Sequence, residues 1–133
     1  MKLPPLSALI CVVVAPLGAL PIAPVPSASA EPCPDVEVAF ARGTTEPPSV
    51  GGIGQHFVDT LRSRVGAQSL GVYPVNYPAT TDFPTAVDGI SDAGHHVESM
   101  AASRPRTKMV LGVYSQGAAV MMKSCEVHNR ESD

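Results

Sequence analysis

The segment Lys108–Val113 (KMVLGV) is a nearly continuous apolar run, and Tyr114-Ser115-Gln116-Gly117 follows it with no spacer. Such a run suits a strand covered on both faces. From Ser115 to about Lys123 the pattern is helical, so the backbone must turn sharply from strand to helix at the serine. A turn of that kind belongs in a parallel sheet, where each strand hands over directly to a helix.

The preceding chain follows the same alternation. Val36–Ala41 (VEVAFA) predicts a short strand closed by Arg42-Gly43, and residues 44–52, with Pro47-Pro48 and Gly51-Gly52, predict a loop. Ile53, Phe57, Leu61 and Val65 recur every four residues as the inward stripe of a helix that Gly66 ends. Residues 70–77 predict a second strand, in which Pro74 calls for a strand end or a sheet edge. A second helix is expected over residues 84–102, with Val87, Ile90, Val97 and Met100 inward. Pro84 suits its first turn and Pro105 bars its continuation. Three strand–helix units imply a three-layer α/β domain with a parallel sheet and helices on both faces. Ligands of such sheets bind at the carboxyl ends of the strands. Arg42-Gly43-Thr44 and Tyr114-Ser115-Gln116 stand at two of those ends.

Residues 1–30 read differently. Lys2 gives a minimal positive start, residues 6–20 are apolar, and Ala28-Ser29-Ala30 is a small-residue cleavage site, the layout of a secretory signal peptide. Pro16, Pro21, Pro24 and Pro26 interrupt a stretch already short of the roughly 20 residues a membrane span needs, so no integral span is expected. The domain proper then starts at Glu31. Of nine Lys and Arg, Lys2 lies in the leader, leaving the domain mildly acidic against twelve Asp and Glu. With no basic cluster, nucleic acid and anionic membranes are set aside as partners. Beyond the leader two cysteines remain, Cys33 and Cys125, and an exported chain can keep either a bridge between them or two free thiols.

A serine on a tight strand-to-helix turn has its hydroxyl lifted clear of the sheet, beside the N–H groups and partial positive charge of a helix N-terminus. That suits the oxyanion of acyl transfer. Gly117 fits the glycine pattern of such elbows, whereas Val113 stands where the first glycine of G-x-S-x-G belongs, at an expected local steric cost.

Cys33-Pro34-Asp35, Ala-Arg-Gly-Thr-Thr-Glu at 41–46, Val-Asn-Tyr-Pro-Ala at 75–79 and Leu-Gly-Val-Tyr-Ser-Gln-Gly-Ala-Ala-Val at 111–120 together resemble the cutinase family, in particular its exported bacterial esterases. The resemblance implies a small α/β-hydrolase fold and a secreted carboxylic-ester hydrolase without cofactor or metal, acting on cutin-like polyesters, short- to medium-chain esters or lipids. By position it makes Ser115 the nucleophile, with Gln116 and Thr44 forming the oxyanion hole. It also places a cysteine that would bridge to Cys33 at the position of Arg104, leaving Cys125 as the only candidate partner.

After Val120 the chain turns polar (MMKSCEVHNRESD, residues 121–133), and the segments that would carry the triad Asp and His, together with the last strands, find no counterpart. The expectation is therefore an incomplete, C-terminally truncated domain over residues 31–120 with a divergent tail, inactive as it stands. His128 lies on or beyond the helix that starts at Ser115 and should project away from the elbow, His95 and His96 sit mid-helix, and His56 lies on a polar face. Asp82 and Asp88 could approach the site but have no histidine to orient. Lys108–Val113 would become an open sheet edge and invite self-association. Two alternatives stay open: an esterase completed by a second chain along that edge, and a secreted non-catalytic binding protein on a reduced hydrolase scaffold.

Overall fold

The computed structural model describes residues 32–131, so the leader expected over residues 1–30 lies outside the described residues. Three strands form one parallel sheet in the order β2-β1-β3: β1 (Val36–Ala41), β2 (Leu70–Pro74) and β3 (Lys108–Val113). Val36 pairs with Leu70 on one side and with Lys108 on the other, and Phe40 lies level with Pro74 and Gly112. Helix α1 (Gly51–Arg64) joins β1 to β2. A 3-10 turn (Phe83–Ala86) and helix α2 (Val87–Ser103) join β2 to β3, and α3 (Gln116–Glu131) follows β3. Among the described residues no helix is long and apolar enough to cross a membrane.

The two crossovers run in opposite directions along the sheet, so right-handed connections put α1 on one face and α2 on the other. The core divides accordingly. Val38 and Phe40 of β1 pack with Val50 and Val58 on the α1 face, while Ala41, Ala93, Val120 and Met121 pack with the chain after β2 on the other. All six residues of β1 are buried, as a middle strand demands.

Several expectations need correction. The buried face of α1 runs through Gly51, Gly54 and Val58, with Leu61 and Val65 half-buried, whereas Ile53 and Phe57 are exposed. A strict four-residue repeat drifts around a helix of 3.6 residues per turn, and the true stripe alternates steps of three and four. In α2, Met100 is buried and Ile90 and Val97 half-buried, but Val87 is exposed because it opens the helix straight out of the 3-10 turn. Strand β2 stops at Pro74; Val75 still donates its N–H to the Phe40 carbonyl at 3.0 Å, and Val75 and Tyr77 are buried in the core beyond the strand end. β3 is not covered on both faces. Leu111 and Val113 are exposed while Gly112 is buried, because β3 is an edge among the described strands.

Helix α3 passes through Val120 without a break, and both Met121 and Ser124 are buried. Cys33 and Cys125 are free and exposed, so the Cys33–Cys125 bridge is not formed. Cys125 faces α2 across an apolar cavity of about 110 Å³ that it lines with Gly94 and Val97. Cys33 instead lies beside Asp35, Arg106 and Thr107 where β1 begins.

Candidate active site

β1 and β3 are neighbours in the sheet and each hands over to a segment at its carboxyl end, the end at which such sheets take ligands. Ser115 is at that end of the sheet, between the end of β3 and the first residue of α3, and is exposed. Its φ is 53°, in the left-handed region that a non-glycine residue enters only under constraint. The constraint is visible on both sides. Tyr114 N–H donates to the Ala41 carbonyl at 3.1 Å, and the Gly117 and Ala118 N–H groups close the first helical turn onto Tyr114 and Ser115. A Cβ at Gly117 would collide with the Ala41 carbonyl, so only glycine lets the helix start this close to β1.

The steric cost expected at Val113 is not found. Its side chain points to an open apolar hollow against α3, with Ala118 and Met122. The position that cannot carry a side chain is Gly112, where a Cβ would drive into the Phe40 ring.

The segment after β1 comes up against the same turn. Gly43 lies against Tyr114, where a Cβ would come 2.6 Å from Tyr114 Cδ1, and a tight turn brings the Glu46 N–H to the Gly43 carbonyl at 3.2 Å. Thr44 is half-buried within that turn, and Thr45 (φ 61°) donates its N–H to the Ala79 carbonyl at 2.7 Å. Glu46 fastens the other side. Its Oε2 accepts the Gly43 N–H at 2.7 Å and its Oε1 accepts the Ile53 N–H at 3.1 Å, in the first turn of α1. Gln116 is buried; its side-chain amide donates to the Thr80 carbonyl at 3.1 Å, while its Oε1 has no partner. Ser115, Gln116 and the Thr44 turn are thus held by one group of packed loops. Arg42 and Glu46, to which the sequence analysis gave no role of their own, do much of the holding. An Arg and a Glu four apart around Gly-Thr-Thr at a strand end was the available signal.

The described histidines stand elsewhere. His96 pairs with buried Glu37 beneath α2 and stacks on Tyr73 with ring centroids 3.4 Å apart. Glu37 is the second residue of β1, level with Met109 and so about 20 Å along the sheet from Ser115. His95 lies in a surface hollow between α2 and α3 with Ser91 and Glu98, and His56 is exposed on α1. His128 lies thirteen residues along from Ser115, roughly 20 Å of helix, and its side chain is outside the described set. Asp82 is exposed ahead of the 3-10 turn and Asp88 is exposed in the first turn of α2. Among the described residues the Ser115 hydroxyl has no hydrogen-bond partner. No group of His, Cys, Asp and Glu among them is arranged to hold a metal ion.

A family model described as Cutinase matches residues 32–133. The chain belongs to the cutinase family. Within that family it is 56% identical over 96 residues to the probable carboxylesterase Culp3 of Mycobacterium tuberculosis, covering 72% of this chain and 36% of that protein. It is 55% identical to Phospholipase Culp4 of the same organism, covering 72% of this chain and 42% of the relative. Among solved structures, Trichoderma reesei cutinase in complex with a phosphonate inhibitor superposes with a TM-score of 0.65 at 42% identity, over 71% of this chain and 45% of that one. The chain therefore spans about two-fifths of the length of these cutinase relatives, and the family match runs past Val120 to the last residue.

Proposed function

We propose that this chain carries the nucleophile and oxyanion portion of a secreted, cutinase-type carboxylic-ester hydrolase. Ser115 attacks the ester carbonyl. The backbone N–H of Gln116 and the backbone and hydroxyl of Thr44 take up the negative charge of the tetrahedral intermediate, and an acyl-enzyme forms as the alcohol leaves. The observation that carries this reading is Ser115 itself, held at φ 53° at the head of α3 beside the Thr44 turn.

Full turnover also needs a histidine base and a carboxylate to orient it. None of the described histidines approaches Ser115, so the base has to come from outside the described residues. With the oxyanion hole and binding alone, a serine site keeps only about a thousandfold acceleration over water. Turnover of esters by this chain alone is accordingly expected to be hard to detect. The named activities of the relatives, carboxylesterase and phospholipase, point to acyl esters and lipids as the substrate class.

The test is covalent labelling rather than turnover. Incubation with an activated alkyl phosphonate ester, followed by peptide mass mapping, should place the adduct on Ser115, and Ser115→Ala should abolish it. Phosphonylation draws on the same base, so the reaction is run for hours with excess reagent at alkaline pH; no adduct under those conditions, an adduct on another residue, or equal labelling of Ser115→Ala would overturn the reading.

A further inference from the structure

Four consecutive carbonyls in the loop after β2, those of Tyr77, Pro78, Ala79 and Thr80, each accept a hydrogen bond from one of the two segments that build the site. The Arg42 guanidinium reaches two of them through Nη2, Tyr77 at 2.6 Å and Pro78 at 3.2 Å. Thr45 N–H takes Ala79 and the Gln116 amide takes Thr80. The clamp is reciprocal. The Tyr77 hydroxyl donates back to the Arg42 carbonyl, and the guanidinium lies 5.1 Å above the Tyr77 ring. Arg42 Nε also holds the Glu46 carbonyl at 3.3 Å, closing the far side of the turn that contains Thr44.

We infer that Arg42 is a positioning residue for the oxyanion site, setting Thr44 against Ser115 through the carbonyl row of residues 77–80. The inference rests on the proposed roles of Ser115 and Thr44. Arg42 touches neither the hydroxyl of Ser115 nor any reacting atom; it acts by registering one loop against another. Three features support a positioning role over simple packing. Arg42 is only 7% exposed, so a cation has been placed inside the fold at the site rather than at its rim. Its planar fork grips the two loops from two separate nitrogens, Nε and Nη2, where an ammonium offers a single point. The row it grips also takes the amide of Gln116, next in sequence to the nucleophile, so one short loop sets the spacing of both halves of the site.

Two measurements on the chain test this. Arg42→Lys keeps the charge but loses the fork, and Tyr77→Phe removes only the hydroxyl that answers it. In amide hydrogen exchange, both variants should speed exchange of the Thr45 N–H by about tenfold or more while the β1 amides Val38 and Ala39 keep their protection. In phosphonate labelling, the maximal labelling rate at Ser115 should fall by about tenfold or more with little change in the half-saturating reagent concentration, as expected when oxyanion donors lose their aim. Arg62→Ala, at a surface pair with Asp59, should leave both readouts unchanged. Unchanged Thr45 exchange in both variants overturns the inference, as does faster exchange with an unchanged labelling rate. If the parent itself takes no label, the proposed function falls, and the exchange measurement still decides whether Arg42 sets the Thr44 turn.

Discussion

The ring of Phe40 fills the space beneath Gly112, its partner across the β1–β3 ladder, so the glycine before the elbow serves the core rather than the turn. Val113, one residue on, meets no such obstacle. Gly112→Ala should therefore destabilise the fold by about 1–3 kcal/mol through overpacking against Phe40. Val113→Gly, which restores the G-x-S-x-G spelling, should cost up to about 1 kcal/mol from a weaker strand and leave Ser115 labelling unimproved. Urea unfolding of the two variants, beside their labelling rates, checks both halves.

Ser115 holds a conformation suited to glycine, and its strain is tolerated because the turn is fixed from both ends. Ser115→Gly should raise stability by about 0.5–1 kcal/mol while abolishing labelling. Ser115→Ala, which keeps the strain, should abolish labelling with no such gain. Denaturant midpoints of the pair separate backbone strain from loss of the hydroxyl.

Arg104 lines the same hollow as Pro32 and Pro34, which flank Cys33. Arg104→Cys should accordingly oxidise with Cys33. Closing a loop of that length should add about 3–4 kcal/mol to stability. Free-thiol counts and unfolding with and without reductant measure it; two titratable thiols lost and a reductant-sensitive midpoint are expected.

Burial holds the Tyr73 hydroxyl protonated, helped by its hydrogen bonds to Asp92, and its pKa rises from 10.0 to about 12. Tyr73 thus keeps its proton longer in the folded chain than in the unfolded one. Its contribution to stability is whole below pH 10 and is lost as the pH climbs through about 12. Burial raises the Tyr77 hydroxyl in the same direction. Tyr73→Phe should flatten part of the alkaline loss, leaving the Tyr77 share, and cost about 1 kcal/mol at neutral pH from the lost hydrogen bonds. Midpoints followed across the alkaline range give the slope.

Leu111 and Val113 are exposed on the outer strand, and Met122 extends the apolar surface onto α3. The chain is expected to self-associate as concentration rises, and Leu111→Lys should shift it toward monomer by charging the strand edge. Sedimentation velocity over a concentration series reads this directly; a parent that stays monomeric throughout would contradict it.

The elements that could be read directly from the sequence were those whose signal is local. β1 and β3 are apolar runs bounded by turn residues, and both fall where the pattern put them. Gly117 and Ser115 marked the elbow because a strained turn restricts residue types. What escaped depended on partners far along the chain. Whether Ile53 or Gly54 faces inward is decided by the Phe40 ring, against which a Cβ at residue 54 would collide. The clamp of Arg42 escaped for another reason. Its partners are main-chain carbonyls, which every residue carries, so residues 77–80 needed no distinctive side chains to receive it.

The strand with two neighbours is also the first to be made. β1 leaves the ribosome with every side chain destined for burial, yet Val36 has to wait for Lys108 before its second ladder can form. Pairing over so long a stretch of chain is slow to nucleate. Until β3 arrives, β1 keeps one ladder edge and its apolar side chains unpaired, so the yield of folded domain should depend on how well they are shielded during that interval.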